Sequence, residues 1–357
     1  MAKPIEPQAG QFSDAVSEHS QRLLPGGGFD KLPALTARVR RWAERVLEAG
    51  LTPRPLCGDG GRRRYFRLEG TGRLILAGPD SAENLAWLRI GRHLWFKSLP
   101  LPRIQAYDLN QGFFLLEDLG DELLAARPGE DLFFQAVELA ARLHAEGREG
   151  FDSGWCHQRA RYSAAMAEHD EIGYFLKQLG RLKRPWLPSG IKAEAKALAA
   201  LAVSGSEEWV LMHRDFQGRN LINFQEHLWI LDWQGARPGP AAYDLSSLME
   251  ECPGQRLSED FKDRLLRHYL KIRRLGHRHQ SFRRELTVIG AVRMMQALGA
   301  FIKISLEGKD KFAAYIPAAL ERLDEMFRQK PLSSFTLLRS VIQDAALETG
   351  NTIPLIG

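Results

Sequence analysis

Asp215, Asn220 and Asp232 carry the most specific chemical signal in the chain. The first two sit in the run His213-Arg214-Asp215-Phe216-Gln217-Gly218-Arg219-Asn220, and the third follows the apolar stretch Leu228 to Leu231. A carboxylate at 215 could orient an acceptor hydroxyl and take its proton. An amide at 220 and a carboxylate at 232 offer hard oxygen ligands to Mg2+, leaving coordination positions for phosphate oxygens and water. That donor set suits transfer of a phosphoryl group from ATP, and the order His-Arg-Asp-x-x-x-x-Asn with a later metal-binding Asp is its recurring loop form.

The flanks predict how these residues are held. Leu211-Met212 and Leu221-Ile222 read as strand ends with His213 to Asn220 as the loop between them, and Leu228 to Leu231 reads as a strand delivering Asp232 to the same end. Further on, Gly239-Pro240 precedes a helix whose first turn holds Asp244. Asp244 could accept hydrogen bonds from the loop amides or from the side chain of His213, or serve only as a cap.

Ahead of the loop, the chain reads as a helix over Leu32 to Gly50 and strands over Pro55 to Cys57, Arg64 to Leu68 and Arg73 to Ala77. The turn Gly58-Asp59-Gly60-Gly61 between the first two strands could place backbone amides against phosphate oxygens, because no side chain intervenes. A plain hairpin is the competing reading. A helix follows over Ser81 to Lys97 with Ser81 as cap, then strands over Ile104 to Tyr107 and Phe113 to Leu116. Glu117 to Asp121 reads as an extended hinge whose free backbone groups could pair with an adenine edge. Beyond it helices dominate: 131–146, 159–179, 191–203, 257–274, 281–305, 309–328 and 332–347. His144 is expected to be packed or partly exposed rather than catalytic, with no partner in view.

The 357 residues are 44% hydrophobic and 26% charged, an ordinary globular balance with enough chain for two cores. The formal net charge of +5 owes much to the run Arg264 to Arg284. No aromatic stacking pattern accompanies that run, so a solvated helical face is expected and no nucleic-acid partner. Cys57, Cys156 and Cys252 are scattered and lack metal-ligand spacing, which fits reduced thiols and a cytoplasmic protein. The polar N-terminus has no signal-peptide core, and no uninterrupted apolar run reaches membrane length, so no membrane partner is expected.

With these residues in view, the chain resembles the aminoglycoside phosphotransferase and choline kinase superfamily, and within it the bacterial anomeric amino-sugar kinases. The likeness runs from Leu56-Cys57-Gly58-Asp59-Gly60 and Arg63-Arg64-Tyr65-Phe66-Arg67 through Phe114 to Asp121, the catalytic loop, Leu231-Asp232-Trp233-Gln234 and Tyr243-Asp244-Leu245, to Arg293 with Gln296 and to Tyr315-Ile316-Pro317. The resemblance implies an α+β, two-lobed, protein-kinase-like fold. An arm would occupy 1–32. An N-lobe of small antiparallel sheet plus helix would occupy 33–118 and cover the nucleotide. A mainly helical C-lobe would occupy 119–357. It implies ATP as donor with Mg2+ at Asn220 and Asp232, and Asp215 facing the acceptor hydroxyl. Adenine would lie at Glu117 to Leu119, the nucleotide phosphates near Gly58, Asp59, Gly60, Gly61 and one arginine, and His213, Gln217, Arg219 and Asp244 would support the loop or the acceptor.

One departure matters. The third strand, Leu74-Ile75-Leu76-Ala77, lacks the lysine that usually meets the phosphates, and Glu83 then has no visible partner. Arg64 is the preferred substitute, with Arg67 and Arg73 as lesser candidates. Two alternatives remain open. The acceptor could be an aminoglycoside, choline or another alcohol, with Glu168, Asp170 and Glu171 as acidic neighbours, or the chain could be a nucleotide-binding pseudokinase.

Overall fold

The computed structural model describes residues 31–56, 62–182, 187–250, 256–308 and 310–352. The expected arm, apart from its last two residues, and the turn Gly58, Asp59, Gly60 and Gly61 lie outside these.

Alternation of apolar side chains builds the first layer. Strands β1 (Pro53–Leu56), β2 (Arg64–Leu68), β3 (Arg73–Ala77), β4 (Ile104–Asp108) and β5 (Phe113–Glu117) form one antiparallel sheet in the order β1-β2-β3-β5-β4. One face carries Phe66, Leu68, Ile75, Ala77, Phe113 and Leu115 and packs under helix α1 (Leu32–Leu47) through Leu35, Val39 and Trp42. The opposite face carries Leu76, Phe114 and Leu116 and packs on helix α2 (Ser81–Phe96) through Trp87, Ile90 and Leu94. The α2 cap is Asp80 rather than Ser81: its carboxylate accepts the Glu83 N–H at 3.0 Å.

Helix α2 also ties this sheet to the segment that carries Asp232. Trp233 is buried, stacks on Trp87 with centroids 4.5 Å apart, and donates its indole N–H to the Trp87 carbonyl at 2.8 Å. Gly91 makes room for that ring, since a Cβ there would stand 2.6 Å from Trp233 Nε1. In an open helix Gly→Ala gains about 1 kcal/mol. Here the clash with an immobile ring should win, so Gly91→Ala is expected to lower stability by about 1–3 kcal/mol, read as a fall in Tm. A rise in Tm would show that α2 does not approach Trp233 this closely.

The remainder is mainly helical. It comprises α3 (Glu130–Glu146), α4 (Ala164–Met166), α5 (Gly173–Leu182), α6 (Ile191–Ser204), α7 (Ala241–Glu250), α8 (Glu259–Ile272), α9 (His279–Leu306), α10 (Ile316–Phe327) and α11 (Thr336–Thr352). The α9 helix is long and apolar enough by composition to cross a membrane, yet most of it is buried as the central helix, against α5, α7 and α10. Three boundaries differ from the periodicity reading. The helix expected from 159 begins at Ala164, where Ser163 caps it, and passes through a π-helical turn at Ala167–Ile172 into α5. Pro317 lies in the first turn of α10, where a missing N–H costs nothing, so Asp310–Tyr315 forms a separate 3-10 segment. The α11 helix starts only at Thr336, its N-terminal amides at Leu337 and Leu338 received by Glu194 of α6.

Two small antiparallel strand pairs carry the polar loop: β6 (Trp209–Met212) pairs with β9 (Arg237–Pro240), and β7 (Leu221–Phe224) with β8 (His227–Ile230). The β9 strand, Arg-Pro-Gly-Pro, was not foreseen, because proline and glycine mark turns in any local reading. Within the basic run, Arg264, Arg267, Arg273 and Arg278 pair with Glu130, Asp263, Glu208 and Glu285.

Candidate active site

The loop from His213 to Asn220 is anchored from below. Asp244, fully buried in the first turn of α7, accepts the backbone N–H of His213 at 2.7 Å and of Arg214 at 2.8 Å. These bonds hold Arg214 in a left-handed conformation, φ 79°, that a side-chain-bearing residue rarely adopts unaided. Asp244 therefore meets the loop amides. The imidazole it engages, however, is that of His144, whose Nε2–H donates at 3.0 Å, and not that of His213. His144 in turn pairs through Nδ1 with the Tyr269 hydroxyl at 2.8 Å. The His213 ring, fully buried, donates from Nε2 to the Leu231 carbonyl at 2.9 Å, locking the loop to the residue before Asp232.

Asp215, Asn220 and Asp232 come together at this end of the hairpins. Asn220 donates from Nδ2 to the Asp215 carbonyl and its own carbonyl receives the Leu231 N–H, both at 2.9 Å. With Nδ2 so engaged, Oδ1 is the atom left for a cation. The Asp232 side chain is 34% exposed and its backbone left-handed, φ 60°, which turns the carboxylate out of the hairpin. One carboxylate and one amide oxygen suit Mg2+ held largely by phosphate and water. Among the described residues, no group of three His, Cys, Asp or Glu side chains could hold a metal by itself. Gln217 donates its N–H to the Asp215 carbonyl and accepts Arg219 Nη2 on its side chain at 3.2 Å, while Arg219 also lies over the Phe312 ring.

The cation that meets this cluster from the sheet is Arg63. It is buried just ahead of β2, with Nη1 3.0 Å from Asp232 Oδ1 and Nη2 3.5 Å from Glu83 Oε1. Burial raises the Glu83 carboxyl, and Arg63 offsets this only in part. Arg64, the substitute preferred from sequence, shares its face with Phe66 and Leu68, which pack under α1, whereas Arg63 has the parity of Tyr65 and faces α2. Arg67 and Arg73 are engaged elsewhere. Arg67 binds Asp118 through two bonds and also Asp121, and Arg73 donates to Gln105. Only the otherwise partnerless Glu83 hinted at Arg63 in the sequence.

Arg67 also shapes the hinge. Its bonds to Asp118 and Asp121 brace a segment in which Gly120 is left-handed at φ 82°. Glu117 is tied to the Arg103 backbone and Leu119 is buried.

On the other side of Asp215 the surroundings are basic. Arg293 of α9, buried and bonded to Ser247 and Gln296, reaches Asp215 Oδ1 at 3.3 Å. Burial would raise the Asp215 carboxyl, but Arg293, Arg214, His213 and Arg237 together hold it below its ordinary value. The acidic neighbours considered for a cationic acceptor do not supply a counterweight. Asp170 is exposed and pairs with Arg159, and Glu171, in the π-helical turn, is buried and accepts the hydroxyls of Tyr162 at 2.8 Å and Tyr243 at 2.6 Å. Arg293 and His144 were not assigned to the site from sequence, because their partners lie far along the chain, and Arg237, bonded to the nearby Gly235 carbonyl, stands in no pattern that singles it out.

The phosphotransferase enzyme family model matches residues 52–282. The chain is 25% identical over 315 residues to N-acetylmuramate/N-acetylglucosamine kinase of Pseudomonas putida, covering 82% of this chain and 88% of that protein. Against the protein of the same name from Neisseria meningitidis serogroup B it is 27% identical over 352 residues, covering 88% and 98%. A solved choline/ethanolamine kinase family protein from Mesorhizobium loti matches with a TM-score of 0.59 at 17% identity, covering 86% of this chain and 99% of that one, which supports the two-lobed kinase-like fold. The family match takes in both the sheet and the loop that bears Asp215, Asn220 and Asp232, and the chain belongs to the phosphotransferase enzyme family.

Proposed function

We propose that this chain transfers the γ-phosphoryl group of ATP to the anomeric hydroxyl of an amino sugar. The acceptor oxygen forms the new bond to phosphorus, the bond to the β-phosphate oxygen breaks, ADP leaves, and the hydroxyl proton passes to Asp215. Asn220 Oδ1 and Asp232 would hold Mg2+, which neutralises phosphate charge when bound. Arg63 supplies the cation on the sheet side, with Glu83 fixing its direction, and Glu117 to Leu119 would take the adenine edge. Arg63 also answers the missing third-strand lysine that motivated the pseudokinase alternative. An anomeric hydroxyl is more acidic than an ordinary alcohol, so a base held at low pKa suffices, with positioning and charge neutralisation contributing most of the rate.

The observation that carries the acceptor class is the sign of the charge beside Asp215. Arg214, Arg237 and Arg293 all lower its carboxyl. A quaternary ammonium or polyamine acceptor would be repelled there, whereas a neutral or acidic sugar would not. The names of the relatives at 25% and 27% identity support the same choice.

The test is ADP release by the purified protein with ATP and Mg2+ across N-acetylglucosamine, N-acetylmuramate, choline, ethanolamine and an aminoglycoside. Turnover confined to the two sugars, with an acid-labile phosphate at C1 seen by phosphorus NMR, is the expected result. Turnover on choline or the aminoglycoside but not the sugars would overturn the acceptor assignment, and nucleotide binding without turnover on any acceptor would favour a pseudokinase.

A further inference from the structure

Among the described residues, two guanidinium groups beside Asp215, those of Arg214 and Arg237, form no ion pair with a carboxylate. Arg237 is fully buried (0% exposed); its Nε donates to the Gly235 carbonyl at 2.9 Å, its Nη1 approaches only the Met166 sulfur, and its Nη2 has no hydrogen-bond partner. Among the described residues neither Arg237 nor Arg214 has a carboxylate within ion-pair distance, in contrast to Arg63, Arg278 and Arg293. The nearby acids are already engaged: Glu171 by two tyrosines, Asp80 at the α2 cap, Asp152 by the Gly154 N–H. An unpaired charge kept in a protein interior is costly and calls for a counter-ion.

The turn before Arg237 links these groups to Asp215. Gly235 has no side chain, and a Cβ there would lie 3.8 Å from both Asp215 Oδ2 and Arg214 Cδ. The Cys156 thiol donates to the Ala236 carbonyl at 3.5 Å, and the next residue, His157, has Arg237 and Arg214 among its charged neighbours. The His157 Nδ1 is buried and also without a partner. Burial first, then Arg237, pushes its pKa down to about 4, so at neutral pH the ring is uncharged and can donate one hydrogen bond.

We propose that Arg237, Arg214 and His157 form a subsite for a carboxylate carried by the acceptor, making this the acid-sugar specificity determinant of the enzyme. The inference rests on the amino-sugar reading above and deepens it. N-acetylmuramate and N-acetylglucosamine differ by a lactyl ether bearing one carboxylate, so they form the natural pair of probes.

The experiment compares kcat/KM for N-acetylmuramate, its methyl ester and N-acetylglucosamine. The wild-type protein should favour the free acid over the ester by about 10-fold or more, the scale of a charge-assisted bond. The ratio of kcat/KM for acid over neutral sugar should fall about 10- to 100-fold in Arg237→Met, less in Arg237→Lys, and measurably in His157→Leu. The ester comparison uses unaltered protein, so it stands if the buried Arg237 variants fail to fold. Wild-type indifference to esterification, or an equal loss on both sugars in the variants, overturns the subsite while leaving the sugar-kinase reading intact. No turnover on any of the three overturns that reading itself, and the subsite with it.

Discussion

Asp215→Asn is expected to lower kcat with the best acceptor by about 10³-fold or more, within the range for loss of a positioned general base. The KM for ATP should change little, because no phosphate contact is assigned to this side chain. The substitution keeps shape and removes charge. The loop itself is held by other groups: Asp244 on the His213 and Arg214 amides, the His213 ring on Leu231, and Asn220 on the Asp215 carbonyl. A local consequence falls on Arg293, which loses the Asp215 charge at 3.3 Å but keeps Ser247 and Gln296. A Tm within a few degrees of wild type beside a collapse in turnover would assign the loss to chemistry. Retention of more than about a tenth of kcat would show that the acceptor proton leaves by another route.

The elements that position Asp215 were legible because they obey local rules. Strands β2 and β3 alternate apolar residues between α1 and α2, and β7 and β8 flank the loop with short apolar runs. The convergence of Asp215, Asn220 and Asp232 followed from two strand ends and one hairpin. What could not be read was which distant charges meet. Arg63 and Asp232 are 169 residues apart, His144 and Asp244 are 100 apart, and Arg293 lies 78 beyond Asp215. No periodicity links such pairs; the packing of α2 on Trp233, of α3 on α7 and of α9 on α7 brings them together. Arg63 and Arg64 are neighbours in the chain, yet in a strand one residue reverses the face. Glu171 offers a related case. Its neighbours Glu168 and Asp170 suggest an exposed acidic face, but the π-helical turn shifts the register and carries Glu171 inward to Tyr162 and Tyr243.

Asp232→Asn should be comparably severe, for a different reason. Asparagine tolerates the left-handed backbone at this position, so the change isolates the charge. Removing the anionic metal ligand is expected to reduce kcat by about 10³-fold and to raise the Mg2+ concentration needed for half-maximal rate, since several kcal/mol of charge stabilisation pass through that ion. Asp232 is also the nearer of the two carboxylates that hold Arg63, the other being Glu83 at 3.5 Å. The two functions separate in a double-mutant cycle with Arg63→Met, assayed at saturating and limiting Mg2+. If Arg63 acts partly through Asp232, the combined loss should be well short of the product of the single losses, because both changes break the same contact. If Arg63 acts on the phosphates alone, the losses should multiply. Full activity of Asp232→Asn at low Mg2+ would remove Asp232 from the metal site altogether and leave its pairing with Arg63 as a purely structural bond between the sheet and the catalytic hairpins.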